Sequence, residues 1–229
     1  GDSGLDGAPL PAPVMDLQGT HAVDFIISAL RTAPPKTITL CPLGPLTNIA
    51  TALQRAPDIA ERIAEIVLMG GAYFEVGNIT PAAEFNIYVD PEAAQLVFAS
   101  GVDLVVAPLD VTHKALTSPE WSAALRGKNH PICEVVASWT EFFERFDTEK
   151  YGSKGAPLHD PCVIAYLISP EIFAGRRVNV EIETHSDLTR GMTVADWWGV
   201  TDRPANALFL GSIDAAKYFD LITHRLAQL

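Results

Sequence analysis

Apolar residues recur at helical spacing along 20–31, and a short β-branched run follows at 37–41 before the breaker cluster Pro42-Leu43-Gly44-Pro45. The first pattern predicts a helix and the second a buried strand. The alternation then repeats, with helices predicted at 46–54 and 57–63, a strand at 66–69 closed by Gly70-Gly71, a helix at 91–99 and a strand at 104–107. Strands alternating with helices imply parallel βαβ units covered on both faces. Farther on, the pattern predicts helices at 119–125 and 132–146, a polar loop at 147–157, and a helix from Asp160-Pro161 to 168. A β-rich tail at 178–184 and 191–197 turns around Ser186-Asp187, and a last strand at 207–210 leads into an amphipathic helix at 212–226. The fold class is α/β, an open, mostly parallel sheet.

Composition narrows the possible partners. A chain of 229 residues that is 48% hydrophobic can bury a full core, so one domain over 1–229 is expected. A formal charge of −12 argues against the nucleic-acid backbone and anionic membranes, which attract clustered Lys and Arg. A small neutral or cationic ligand fits better. Cys41, Cys133 and Cys162 have no metal-type spacing and read as reduced thiols. No stretch approaches the roughly 20 apolar residues of a bilayer span, and the first residues lack a signal-peptide pattern. A soluble, cytoplasmic protein is the expectation.

Ligands of open parallel sheets bind beyond the carboxyl ends of the strands. Segments 42–45, 70–86 and 107–113 take that position, and the second carries Asn78, Glu84 and Asn86. Carboxamides and a carboxylate suit adjacent sugar hydroxyls, which both give and accept hydrogen bonds; ordinary loop polarity is the competing explanation. Leu158-His159-Asp160-Pro161 sets an acid–base side chain beside a carboxylate at a helix start. Asp160 there suits a helix cap as well as chemistry, since Asp90-Pro91 opens another helix with no sign of function.

Several strings in register carry a family resemblance. Pro42-Leu43-Gly44-Pro45-Leu46-Thr47-Asn48, Leu68-Met69-Gly70-Gly71-Ala72, Ala83-Glu84-Phe85-Asn86, Asp90-Pro91-Glu92-Ala93-Ala94, Leu109-Asp110-Val111-Thr112-His113, His159-Asp160-Pro161-Cys162 and 191–196 together resemble the inosine-uridine preferring nucleoside hydrolases. The resemblance implies hydrolysis of the N-glycosidic bond of ribonucleosides to ribose and free base, through an oxocarbenium-like sugar attacked by a calcium-bound water. Carried over by position, Asp160 and the Leu43 carbonyl would be metal ligands. Asn78 and Glu84 would hold the outer ribose hydroxyl with Met69 nearby, and Asn86 an inner one. Phe85 would pack against sugar or base, and His159 would face the leaving base as proton donor, its usual pKa suiting neutrality. Tyr151, in a loop able to close over substrate, is a further candidate for the base. His113 reads as structural. The family commonly forms dimers or tetramers, so a homo-oligomer is implied, with Trp121, Trp197 and Trp198 available for packing or interfaces.

One departure stands against these matches. The family opens with a strand and an Asp-rich loop, D-x-D-x-G-x-D-D, which supplies further calcium ligands and the general base. No such loop occurs here, and Asp2 and Asp6 resemble a later family segment. The expectation is a nucleoside hydrolase domain with its N-terminal strands missing, in which calcium binding is impaired. A catalytically inactive fragment acting only in ligand binding or assembly is the alternative.

Overall fold

The computed structural model describes residues 6–152 and 155–229, the side chains at 146–148, 150 and 151 excepted. Its first element, α1 (Ala22–Thr32), is capped by His21, whose Nδ1 accepts from the Val23 amide at 3.3 Å. β1 (Ile38–Leu40) and α2 (Thr47–Arg55) follow. The helix expected at 57–63 is a 3-10 helix, Pro57–Arg62, and it runs straight into β2 (Ile63–Met69), three residues earlier than expected. The pairing of Ile63 with Ile38 explains the early start, because a partner strand is invisible to local pattern.

Next come α3 (Phe85–Val89), α4 (Pro91–Phe98), β3 (Leu104–Ala107) and α5 (Leu109–Thr112). Neither α3 nor α5 was expected, since helices of one turn are too short to show a period. α6 (Pro119–Arg126) precedes α7 (Pro131–Tyr151), which continues through the first part of the polar loop expected from residue 147. Polarity misled there: no Gly or Pro stands between Pro131 and Gly152, so nothing stops the helix.

α8 (Pro161–Ile168) lies where the sequence places it. The strand expected at 178–184 is two strands, β4 (Phe173–Val178) and β5 (Val180–Ile182). β6 (Thr193–Ala195), β7 (Ala207–Ile213) and α9 (Ala215–Leu226) complete the chain. β4 was hidden because its middle, Ala174-Gly175-Arg176-Arg177, is exposed; it is an edge strand held by antiparallel pairing to β7.

The five-stranded sheet has the order β1-β2-β3-β7-β4, parallel except at β4, while β5 and β6 form a separate antiparallel ribbon. Both faces of the central strands are covered. Ile66, Leu68, Leu104, Val106 and Phe209 share a core with residues of α1, α2 and α4. Val67, Met69, Val105, Ala107 and Leu210 share the other with Cys162 and Val163 of α8 and Tyr218 of α9. This two-sided burial is why the strands read as continuous apolar runs.

The ribbon is locked onto the turn after β2. A Cβ at Gly71, where φ is +82°, would stand 2.7 Å from the Thr193 hydroxyl, and one at Gly191, where φ is +81°, would stand 2.9 Å from the Tyr88 Cα. Among the described residues no helix is long and apolar enough to cross a membrane.

Truncating a central core side chain tests this packing. Leu68→Ala is expected to lower the unfolding free energy by about 2–5 kcal/mol in urea denaturation. Leu188→Ala, at a residue 85% exposed, should stay within about 0.5 kcal/mol. Equal effects at the two positions would contradict the assigned core.

Candidate active site

The carboxyl ends of β1, β2 and β3 are stitched together by main-chain bonds. The Met69 amide donates to the Pro42 carbonyl at 3.2 Å, Gly70 to Ala107 at 3.3 Å, and Leu109 to Gly71 at 2.9 Å. The three loop segments singled out in the sequence therefore meet at one edge of the sheet.

Glu84 organises the middle segment. It is 2% exposed, and its carboxylate accepts the amides of Gly71 at 3.0 Å, Asn86 at 2.9 Å and Ile87 at 3.3 Å. Two of those bonds cap α3, and the third reaches back to the turn after β2. Burial raises the Glu84 carboxyl above the usual carboxylate range; the three amides oppose that shift, and the charge of Asp160 adds to it. The helix turn then brings Asn86 under Met69, where the Asn86 carboxamide donates to the Met69 carbonyl at 3.1 Å and lies 3.3 Å from its sulfur. Asn78 accepts the Phe85 amide through Oδ1 at 2.9 Å, and the Phe85 ring is half-exposed above this turn.

A second buried carboxylate, Asp110, accepts the amides of Tyr73 at 2.9 Å, Phe74 at 2.7 Å and Glu75 at 3.3 Å. The loop it shapes places Glu75 3.2 Å from His113 Nδ1, and the His113 ring lies 5.8 Å from that of His159. Thr112, one residue before His113, is fully buried with its hydroxyl 2.7 Å from His159 Nδ1. Sequence reasoning missed Thr112 and Glu75. For Thr112 the string after β3 held the signal, since its polar residues stand at a strand end.

His159 departs from the expectation of an ordinary pKa. Burial first, and then the neighbouring His113, push it down to about 4. The ring is therefore neutral near pH 7, and an imidazolium is not the form it offers.

Asp160 departs from the cap reading. Its backbone is already helical, with φ −65° and ψ −39°, and its side chain makes no capping hydrogen bond. Asp90 in the same Asp-Pro context does cap, accepting the Ala93 amide at 3.1 Å from a non-helical position. An N-cap side chain reaches back only when its own backbone lies outside the helical region. Asp160 is instead half-buried, its carboxyl raised by burial. Its segment is anchored from behind, with the Leu158 carbonyl accepting the Tyr218 hydroxyl at 3.2 Å and the Cys162 thiol at 3.2 Å. Burial drives the Cys162 thiol up to about 12.

Asp160 and Leu43 line one cavity of about 470 Å³ with Trp139, Leu158, Ile164 and Leu226. No group of three His, Cys, Asp or Glu side chains placed to hold a metal occurs among the described residues. The Tyr151 side chain lies outside the described residues. Trp121 is not available for an interface: it is buried and donates through Nε1 to the Thr223 hydroxyl at 2.9 Å. Trp197 packs against Tyr73 and Phe74, whereas Trp198 is 73% exposed.

Comparison with known proteins gives consistent matches. The sequence model described as inosine-uridine preferring nucleoside hydrolase matches residues 1–220. The chain is 50% identical over its full length to an uncharacterized protein of Schizosaccharomyces pombe, covering 74% of that protein. It is 46% identical to the pyrimidine-specific ribonucleoside hydrolase RihA of Citrobacter koseri, over 99% of this chain and 72% of the relative. Among solved structures, the purine-preferring ribonucleoside hydrolase of Gardnerella vaginalis superposes with a TM-score of 0.89 at 30% identity, over 98% of this chain and 71% of that one. A plant nucleoside hydrolase, PpNRh1, superposes with a TM-score of 0.89 at 26% identity, over 100% and 73% of the two chains.

The two Asp-Pro helix starts give a paired test. Asp90→Ala is expected to cost about 1 kcal/mol of stability in metal-free buffer, while Asp160→Ala leaves stability unchanged or raises it, since a partly buried carboxylate with no cap bond is removed. Equal losses in chemical denaturation would return Asp160 to a capping role.

Proposed function

Since the chain belongs to the inosine-uridine preferring nucleoside hydrolase family, we propose that its strand-end cleft binds a ribonucleoside and hydrolyses the N-glycosidic bond to give ribose and free base. The observation that carries this reading is Asp160, a partly buried carboxylate that serves no helix cap and stands beside His159 and near Glu84. Carboxylates there favour the positive charge that develops on the sugar as the bond breaks.

In this proposal Asn78 and Glu84 hold the outer ribose hydroxyl with Met69 alongside, and Asn86 takes an inner one. Glu84 retains about one of its four lone-pair sites for that role after accepting three amides. Phe85 packs against sugar or base. His159 acts as a neutral N–H donor to the departing base rather than as an imidazolium. Uridine and cytidine are the proposed preferred substrates, because the relatives near 46% identity are named pyrimidine-specific. A homo-oligomer, dimer or tetramer, belongs to the same proposal, with Trp198 exposed to meet a second copy.

Calcium, when bound in such a site, lowers the pKa of a coordinated water. It takes about six to eight oxygens. Asp160 and the Leu43 carbonyl supply two kinds of donor suited to it, but they do not make a calcium site by themselves. No residue described here is assigned as general base either. Residues 1–229 alone are therefore expected to bind nucleoside and to release ribose far more slowly than a complete relative. This shortfall is also what favours a second reading, ligand binding without catalysis.

Ribose release from uridine, cytidine and inosine, measured with and without calcium beside a full-length relative, tests both readings. Calcium-dependent release from residues 1–229 at the relative's rate would overturn the expectation of slow release. Extending the chain before Gly1 with the family's Asp-rich segment should give release, fastest with the pyrimidine nucleosides. In that extended protein His159→Gln should lower kcat about a hundredfold, and Asp160→Ala should abolish calcium dependence. Nucleoside binding with no release even after extension would leave the binding-only reading in its place.

A further inference from the structure

We infer that Thr112 is a positioning residue for His159, donating its hydroxyl proton to Nδ1 and so holding the imidazole as the tautomer that carries its proton on Nε2. The inference rests on the proposed role of His159 toward the leaving base and adds the group that fixes its state.

The hydroxyl lies 2.7 Å from Nδ1, and Thr112 is fully buried, so bulk water does not satisfy it. Two other buried threonine hydroxyls, one in α7 and one in α9, donate to their own helix. Thr140 bonds back to Val136 at 3.0 Å and to Ala137 at 3.0 Å, and Thr223 to Phe219 at 2.7 Å. Thr112 ends a four-residue helix, and among the described residues its hydroxyl has a single hydrogen-bond partner, His159 Nδ1. Were Nδ1 to carry the proton instead, the hydroxyl hydrogen would be left buried with no acceptor. The donor direction follows from that asymmetry.

The surroundings keep the pair in place. The Leu158 amide donates to the Ala115 carbonyl at 2.9 Å, tying the residue before His159 to the turn just after Thr112. The imidazole of His113, which could otherwise compete for Nδ1, is itself paired with Glu75 at 3.2 Å. A leaving nucleobase gathers negative charge on ring nitrogen and carbonyl oxygen. A fixed N–H on Nε2 meets that charge without first having to exchange its proton between nitrogens.

Long-range proton–nitrogen correlation spectra of 15N-histidine-labelled residues 1–229 at pH 8 test this directly. Wild type should show a pyridine-like Nδ1 and a pyrrole-like Nε2 for His159, with the signals assigned by their loss in His159→Gln. Thr112→Val should draw the two nitrogen shifts together as the tautomers mix, and Thr112→Ser should restore the wild-type pattern. A pyrrole-like Nδ1 in wild type overturns the inference, as does an unchanged pattern in folded Thr112→Val. If Thr112→Val does not fold, the wild-type spectrum still decides the proton's position. Should the tautomer be as stated while His159→Gln leaves ribose release intact in the extended protein, it is the role of His159 that falls, not the hydrogen bond.

Discussion

Three main-chain N–H groups, from Gly71, Asn86 and Ile87, converge on the buried carboxylate of Glu84, and that convergence ties the end of β2 to the start of α3. The segment between them contains no strand or helix, so its shape rests on such side-chain bonds and on turn bonds like that from the Ile79 amide to the Ala83 carbonyl. Asp110 does the same for residues 73–75. The loops at this edge of the sheet are thus held by two acceptors buried among backbone donors, through hydrogen bonds that water cannot easily replace. Asn86 and Glu75 face their partners because these knots place them.

The electrostatics of the cleft share one cause. Loss of solvent raises Glu84 and Asp160 and lowers His159, since burial disfavours whichever form is charged. A neutral imidazole and two buried carboxylates make this edge of the sheet rich in electron pairs. Such a lining welcomes a sugar that becomes positive and a base that becomes negative on opposite sides of the breaking bond.

Much of the fold was legible because α/β order writes itself as alternating periods. The central strands, buried on both faces, read as apolar runs, and Pro or Gly marked most boundaries. What escaped included elements that depend on partners distant in sequence: Ile63 needs Ile38, and β4 needs β7. At the candidate site, the strings around Met69, Glu84 and His159 pointed to loops that the structure brings to one edge of the sheet. That Asp160 declines to cap, and that His159 is neutral, could not be read there. Both are set by backbone angles and burial, which the letters do not carry. Trp121 shows the reverse error, an aromatic residue taken for a surface contact that turned out to bond with Thr223 across the chain.

The lock between the ribbon and the turn after β2 bears on how such a chain can diverge. Gly71 tolerates no side chain because Thr193 stands against it, and Gly191 tolerates none because Tyr88 does. Thr193 itself keeps a buried hydroxyl with no partner among the described residues, so it is retained at some cost. Drift at any one of these positions demands matching change at another more than a hundred residues away. Leu188, exposed at the bend, takes no part in this lock. Lineages of this fold can therefore vary the exposed Leu188, while Gly191, Thr193 and the turn after β2 must be inherited together.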